Sequence, residues 1–466
     1  MARGTTIVID LGKTLSKVSL WSASGELLDR HVRPNAPIEV DGLRRLDAGG
    51  TGQWLLETLA HFADHPVETI IPVGHGAAVA VLDGGALAFA PLDYEQAIPV
   101  ETMAAYRTTR DRFAVTGSPA LPDGLNIGSQ LHLLEQRYPE VMARATLLPW
   151  AQYWAYFLTG VAASEVTSLG CHSDLWNPLA ADFAPMARTR GWAERFAPLA
   201  KAGDAVGVLL PWIASQTGLS RNVRVLAGLH DSNAALLAAR GFAEIADNEA
   251  TVLSTGTWFV AMRLARSGVN MAALPEARDC LVNVDAYGQP VPSARFMGGR
   301  EIETLIEIDT RRVDIRPDQP ALLAAVPEVL ALQKMVLPTL MRGFGPFPHG
   351  TFGWINRPED WFERRAAACL YAAMVADTAL DLIGSCERLL VEGRFSEADV
   401  FVRALAALRP QTQVYVGNAH NDVSFGALRL VDPALRPLGA LVRVEPLDGP
   451  IDAYRRRWHA EIGAFA

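Results

Sequence analysis

Thr5-Thr6-Ile7-Val8-Ile9-Asp10-Leu11-Gly12-Lys13-Thr14, followed by Leu15 to Trp21, is the stretch on which the fold turns. Thr5 to Asp10 is short and β-branched and predicts a strand. Leu11 to Thr14 supplies a turn. Leu15 to Trp21 then alternates, with Val18 and Leu20 on one face and Lys17, Ser19 and Trp21 on the other, and a period of two predicts a second strand. Ser22-Ala23-Ser24-Gly25 makes the next turn, and Glu26 to Val32 predicts a third strand. The chain therefore opens as a β-meander whose first turn reads Asp-x-Gly-x-Thr. A dinucleotide-binding fold would place a Gly-x-Gly-x-x-Gly turn and a helix after the first strand. Here Asp10 stands where that turn would begin and a strand follows, which argues against a nicotinamide or flavin enzyme.

A second strand–turn–strand begins at Ala250: Thr251 to Ser254, the turn Thr255-Gly256-Thr257, then Trp258 to Met262. It echoes the first hairpin about half a chain later and predicts a duplicated domain. With 466 residues, and about 150 per domain as a soft guide, two domains of 1–246 and 247–466 fit. Between the hairpins the patterning predicts helices at Gln53–Asp64, Gln130–Arg144 and Trp150–Leu158, the last closed by Gly160. It also predicts strands at Glu68–Val73 and Val223–Gly228, and a helix at Ser232–Ala239. Beyond the second hairpin it predicts a long Ala-rich helix or helix pair over Arg364–Leu390 and a short strand at Leu389–Glu392. A tight turn at Gly393-Arg394-Phe395 follows, then a helix Ser396–Leu408 capped by Ser396, and a strand Gln413–Val416. Strand, glycine turn, helix and strand make a parallel α/β unit.

Half of the residues are hydrophobic and a fifth are charged, which excludes a disordered chain. Apolar runs stop short of the roughly 18–20 residues of a membrane span, and no secretory pattern is read near Met1. A soluble, cytoplasmic protein is expected. A net charge of −9 argues against a nucleic-acid partner. The four cysteines, Cys171, Cys280, Cys369 and Cys386, lack Cys-x-x-Cys spacing and read as thiols of a reducing compartment. Four lysines are present, Lys13, Lys17, Lys201 and Lys334, so Lys13 in the first turn stands out.

A turn of glycine and hydroxylated residues gathers backbone N–H groups into a nest for phosphate oxygens. One such turn is ordinary punctuation. Two related turns opening two related domains, if facing across a cleft, would clasp a nucleotide's phosphate chain. Asp10 at a strand end suits a hydrated Mg²⁺, or else it caps a turn. Asp231, at the end of a strand and the start of a helix, suits a cleft site, or else it and Ser232 cap that helix.

These residues together resemble the FGGY family of carbohydrate kinases in the actin/hexokinase/Hsp70 superfamily. The resemblance is carried by Ile-Val-Ile-Asp10-Leu-Gly12-Lys-Thr14, Gly74-His75-Gly76, Leu158-Thr159-Gly160 and Gly228-Leu-His-Asp231-Ser232. Leu253-Ser-Thr255-Gly256-Thr257-Trp258, Glu392-Gly393 and Gly426-Ala427-Leu428 complete it. The His-Asp-Ser and Ser-Thr-Gly-Thr-Trp variants look most like the rhamnulose- and fuculose-kinase branch. The chain departs from the family pattern in four places. Gln130-Leu-His132-Leu-Leu134 stands where Lys and Trp are usual, and Glu392-Gly393-Arg394-Phe395 where a glycine run is. Tyr371 occupies a Glu position, and Lys13 a Thr or Ser position.

The resemblance implies an α/β fold of two ribonuclease-H-like domains flanking a central cleft, and phosphoryl transfer from ATP with Mg²⁺ to a small sugar. A ketose such as a deoxyhexulose or pentulose is expected. Asp231 would be the base. Asp10, Gly12, Lys13, Thr14, Thr255, Gly256, Thr257, Gly393, Arg394 and Phe395 would bind the nucleotide, with Asn418 or Asn421 nearby and Asp10 at the metal. Sugar contacts are expected among His75, Glu95, Gln152, Tyr153, Trp176 and His230, then Asn126 and Arg295. His75 could equally be a turn histidine, and Trp176 or Phe395 plain core. No nucleic acid or membrane partner is expected, and the assembly allowed for is a homodimer. The competing readings are a non-catalytic sugar or nucleotide sensor and an ATPase chaperone or filament subunit.

Overall fold

The computed structural model describes residues 4–266, 268–418 and 423–465. The chain divides into two compact units. The first holds Met1–Gly241, Val282–Pro290 and Asn421–Pro437, and the second holds Phe242–Leu281, Val291–His420 and Leu438–Ala466.

In the first unit the opening meander forms as β1 (Thr5–Leu11), β2 (Leu15–Trp21) and β3 (Leu27–Pro34). Helix α1 (Ala48–Ala60) leads to β4 (Val67–Gly74), and α2 (Trp150–Thr159) precedes β5 (Ala205–Val208), β6 (Arg224–Leu226), β7 (Leu229–His230) and helix α3 (Asp231–Ala239). The sheet order is β5-β6-β4-β1-β2-β3, with β7 also paired to β4. Strand β1 is covered on both faces. Ile7, Ile9 and Leu11 pack with Leu55, Leu59 and Trp154 of α1 and α2, whereas Val8 packs with Trp21, Ile71 and Leu237 on the other side. That two-faced burial explains why the strand reads as a continuous apolar run.

The second unit repeats the plan. Strands β8 (Ala250–Thr255) and β9 (Phe259–Leu264) form its hairpin, followed by β10 (Cys280–Val284), β11 (Pro290–Phe296) and α4 (Gly298–Ile306). After α5 (Trp361–Leu382) come β12 (Arg388–Gly393), α6 (Asp399–Leu408), β13 (Gln413–Gly417) and β14 (Leu441–Arg443). The sheet order is β10-β11-β9-β8-β12-β13-β14. In both units the hairpin strands are antiparallel, the first strand runs parallel to the next on its other side, a further parallel strand follows, and an antiparallel strand ends that side. The echo seen in the two turns is therefore an echo of whole sheets.

Boundaries moved where capping was hidden. Helix α1 starts at Ala48, five residues before the expected Gln53, because Asp47 caps it through the Gly50 N–H at 2.8 Å, and Gly49-Gly50 concealed that start. The helix expected over Gln130–Arg144 is two, Ile127–Arg137 and Pro139–Arg144, because Pro139 has no N–H to continue the ladder. Helix α5 begins earlier than expected, where Asp360 accepts the Phe362 and Glu363 N–H groups, and stops before Gly384. Ser396 does not cap α6. It sits in a 3₁₀ turn, and its hydroxyl donates to the Gly393 carbonyl at 2.7 Å.

Because Ile9 is fully buried between two layers, Ile9→Ala should cost about 2–5 kcal/mol of stability, whereas Leu28→Ala on exposed β3 should change it by less than about 0.5 kcal/mol. Denaturant midpoints of the two variants check this. Equal losses would contradict the burial of β1.

Candidate functional site

Three adjacent parallel strands of the first unit end in register. Leu11 of β1 pairs with Gly74 of β4, and Gly74 pairs with His230 of β7. Gly12, His75 and Asp231 each follow that row by one residue, and Asp10 precedes it. Ligands of parallel α/β sheets bind outside such carboxyl ends.

The hairpin tip is braced internally. Gly12 N–H donates to the Leu15 carbonyl at 3.1 Å, Asn35 donates its side-chain amide to the Gly12 carbonyl at 2.8 Å, and the Ser16 hydroxyl donates to Asn35 Oδ1 at 3.0 Å. Thr14 is exposed at the tip. Asp10 is buried and pairs with Lys17 at 3.0 Å. Lys13, expected at phosphate, turns its ammonium to the Asp93 carboxylate, lies 3.6 Å from Glu95 and sits 4.7 Å from the Tyr94 ring centre. Arg44 holds Asp93 at 3.1 Å and Glu95 at 2.8 Å. Desolvation opposes ionisation of Asp93, but its bonds from Lys13, the Glu95 N–H and Arg44 prevail and hold its carboxyl below the usual range.

His75 Nδ1 lies 2.6 Å from the Gly76 carbonyl, which can only accept, so Nδ1 carries the proton and Nε2 keeps its lone pair. Its ring meets Tyr94 edge-on at 5.5 Å and tilts against Trp150 at 6.2 Å. Burial lowers its pKa, against the Gly76 carbonyl and the Asp231 carboxylate, which act to raise it. A shallow recess is lined by Gly12, Lys13, Ser16, His75, Asp93 and Trp150. Asp231 Oδ1 accepts from the Ser232 N–H at 2.6 Å and its hydroxyl at 3.2 Å. His230 Nε2 lies 3.1 Å from the same oxygen. Burial raises the Asp231 pKa, against the pull of His75, Ser232 and Lys17.

The other expected sugar contacts are spent elsewhere. Gln152 donates to the Ala227 and Gly228 carbonyls at 3.1 and 3.2 Å, bracing the segment before β7. Tyr153 stacks on Trp150 at 5.8 Å. Trp176 is buried in a core cluster against Phe183, and the amide of Asn126 is fully engaged by Leu121, Ser118, Pro119 and His172. Glu95 remains half-exposed at the turn beside Lys13.

In the second unit Thr255 pairs with Gly393 across β8 and β12. The Thr255 hydroxyl donates to the Glu392 carbonyl at 2.6 Å and accepts the Phe395 N–H at 3.0 Å. Gly393 has φ 84° and a Cβ there would lie 2.2 Å from the Thr255 carbonyl, so only glycine fits this crossing. Gly298 and Gly299 open α4 against the hairpin, and a Cβ at Gly299 would lie 1.9 Å from the Gly256 carbonyl. Sequence reading missed this pair, whose signal was the Gly-Gly start of a helical pattern. Phe395 is packed in the core against Phe259 at 5.2 Å. Arg394 is held by Glu303 at 3.2 Å and Thr310 at 2.8 Å. Arg295 pairs with Asp279 at 2.8 Å beneath Trp258. Asn418 bonds the Ala440 N–H, and Asn421 lies outside the described residues.

Two sheets of one order, each with a glycine-bearing hairpin at its parallel strand end, define the class as the two-domain actin-like ATPase fold of the sugar kinases. Comparison with known proteins agrees. Residues 247–437 match the model for the carbohydrate kinase FGGY C-terminal domain. A carbohydrate kinase from Novosphingobium aromaticivorans has a crystal structure that is 76% identical, with 98% of this chain and 100% of that one covered and a TM-score of 0.96. Xylulose kinase from Rhodospirillum rubrum shares the fold at 16% identity, TM-score 0.80, over 99% of this chain and 98% of that one. Plasmodium falciparum glycerol kinase with ADP does so at 12% identity, TM-score 0.79, over 99% and 98%. No curated protein matches. The chain belongs to the FGGY family of carbohydrate kinases. Among the described residues no helix is long and apolar enough to cross a membrane.

Behind the Asp231 row lies Glu165, fully buried, whose Oε2 accepts the Thr167 N–H at 2.9 Å, the Thr167 hydroxyl at 2.5 Å and the Ser168 N–H at 3.3 Å. Burial raises its pKa from 4.5 to about 7. Between those values the native chain holds a proton that the unfolded chain has released, so stability is full below about pH 4.5 and is lost as pH rises through 7. Glu165→Gln should remove that loss. Its stability should gain on the parent by roughly 2–3 kcal/mol between pH 5 and 7.5, and parallel pH profiles would refute the buried neutral acid.

Proposed function

We propose that this sugar kinase transfers the γ-phosphoryl group of ATP to a hydroxyl of a small ketose, with Asp231 taking the hydroxyl proton. The observation that carries the reading is the register row that sets Asp10, His75 and Asp231 beside the braced hairpin of the first unit. Phosphoryl transfer passes through a loose transition state, so positioning and charge stabilisation matter more than a strong base. A carboxylate near its ordinary pKa cannot strip an alcohol in the ground state, but it orients the hydroxyl and accepts the proton late. Burial raises the Asp231 pKa and narrows that mismatch.

Thr14 would offer its hydroxyl to phosphate oxygens, as would Thr257, whereas the Gly12 N–H is given to Leu15, the Thr255 hydroxyl to Glu392 and the Gly256 N–H to Trp258, so these three residues shape their turns. Gly393 and Arg394 would border the adenosine. Mg²⁺ usually keeps several waters and takes one or two protein carboxylates plus substrate phosphates. The donor set fits in one respect: Asp10 brings a carboxyl group to the end of β1, beside the braced hairpin. Asp10 would hold the ion, which when bound neutralises charge on the phosphates. Sugar hydroxyls would meet the His75 Nε2 lone pair and Glu95. The acceptor would be a deoxyhexulose or pentulose, and the resemblance of the His230-Asp231-Ser232 and Thr255-Gly256-Thr257-Trp258 variants to the deoxy-ketohexose branch favours the former.

Release of ADP from MgATP across a panel of ketoses and polyols tests the reading. Asp231→Ala should keep ATP affinity within about twofold and lose turnover about 10²–10⁴-fold. Near-parental turnover would remove Asp231 from the chemistry. Asp10→Ala should raise the Mg²⁺ concentration needed for half-maximal rate, and an unchanged requirement would leave Asp10 as a structural residue paired with Lys17.

A further inference from the structure

Glu392 belongs to the segment in which this chain departs from the family's glycine run, and nothing around it claims its carboxyl group. It stands next to last on β12, one residue before the turn at Gly393. Its backbone is fixed. The Thr255 hydroxyl donates to its carbonyl at 2.6 Å, and Gly393 turns the chain immediately after it with φ 84°. Leu389 and Val391 belong to the core of the second unit. Side chains alternate along a strand, so Glu392 lies on the opposite face, with Leu390.

The row across the strand ends is open on both sides of it. Ser254 of β8 is the register partner of Glu392 and is exposed. On the other side Val391 pairs with Val416 of β13, so the residue next to Glu392 is Gly417, which has no side chain. The arginines of this segment are spent elsewhere. Arg388 donates to the Glu244 carbonyl at 2.6 Å, and Arg394 is held by Glu303 and Thr310. Among the described residues no hydrogen bond or ion pair reaches the Glu392 carboxyl group, and burial raises its pKa from 4.5 to about 7. The side chain is half-buried, so the group is reachable from solvent. A partly desolvated carboxyl group without donors carries a cost that the donors of a ligand remove.

We propose that Glu392 accepts the two ribose hydroxyls of the nucleotide and makes the second unit selective for a ribonucleotide over a deoxyribonucleotide. The turn that bears Thr257 follows its register partner Ser254, and Gly393-Arg394 follows Glu392 itself. With the phosphates at the first and the base at the second, the part of the nucleotide beside Glu392 is the ribose. Charge agrees with this placement, because a carboxylate repels phosphate oxygens and is best met by an uncharged group. A vicinal diol presents two O–H donors to two acceptor oxygens, and an acidic side chain serves a ribose hydroxyl in the same way in dinucleotide-binding folds. The choice of ligand rests on the kinase reading above. The unclaimed carboxyl group does not.

The test is titration calorimetry on the full chain with MgADP and with its 2′-deoxy and 3′-deoxy analogues. The parent should bind MgADP about 10- to 100-fold more tightly than either analogue, as expected for a hydrogen bond to a charged group. In Glu392→Ala that preference should fall to within about twofold. Glu392→Gln keeps one acceptor oxygen in nearly the same volume and should hold an intermediate preference. Melting temperatures without nucleotide show that the variants fold, and the Gln variant carries the test where the Ala variant does not.

A residue with only a structural role would weaken all three ligands alike, so a parallel loss in the variants overturns the proposal. A variant that keeps the ribose preference while its ADP binding loses its dependence on Mg²⁺ also overturns it, and assigns the carboxyl group to the metal ion. A parent that binds the three ligands equally overturns the proposal alone. A parent that binds none of them overturns the kinase reading as well.

Discussion

The parallel pairing of β1, β4 and β7 is the constraint on which the site depends. Backbone hydrogen bonds put Leu11, Gly74 and His230 in one row. A shift of one residue in any of these strands would turn its side chains to the opposite face and dismantle the row. The register is secured by burial. Alternate residues of β1 belong to different core clusters, so a slip would exchange their surroundings and set Asp10 in an apolar layer. Side chains of three distant segments thus meet because the core tolerates one pairing.

The second unit applies the same constraint. Its hairpin strand β8 ends opposite Gly393, as β1 ends opposite Gly74. In both places a glycine lets a neighbour come close: the Thr255 carbonyl at Gly393, and the backbone at the start of α2 at Gly74. The two strand ends nevertheless carry different chemistry. Titratable side chains crowd the row of the first unit, whereas the second presents hydroxyls, glycines, the single carboxyl group of Glu392 and the start of α4. Duplication supplied a frame, and the residues placed at equivalent ends divide acid–base work from phosphate holding in the proposed reaction.

The meander, both hairpins, the duplication and the α3 start were legible because they rest on local periodicity and turn chemistry. Asp10 and Asp231 were legible as residues that end a strand with a carboxylate. The partners were not. Lys13 looks like a phosphate ligand until the turn containing Asp93 and Tyr94 is placed beside it. Gln152 and Trp176 have the side chains of a sugar pocket, but one amide holds backbone carbonyls and one ring fills a core. Each outcome depends on contacts across tens of residues, and a single sequence has no period that encodes them. Gly298-Gly299 was missed for a related reason, since a glycine pair reads as a loop until the carbonyl it must clear is known.

Charge pairing within the first unit separates its carboxylates by role. Asp10 has the Lys17 ammonium, and Asp93 has both Lys13 and Arg44. A cation in contact lowers carboxylate basicity, so these groups suit holding a metal ion or bracing a turn better than accepting a proton. The hydrogen-bond donors on Asp231 are neutral, the backbone N–H and the hydroxyl of Ser232. Those donors orient the carboxylate without the full acidifying effect of a contacting ammonium, while burial acts in the opposite direction and raises its pKa. Of the carboxylates near the row, Asp231 is therefore the one whose surroundings favour proton acceptance. The neutrality of His230 is part of the same arrangement, because an imidazolium at 3.1 Å would make Asp231 resemble Asp10 and weaken it as the proposed base.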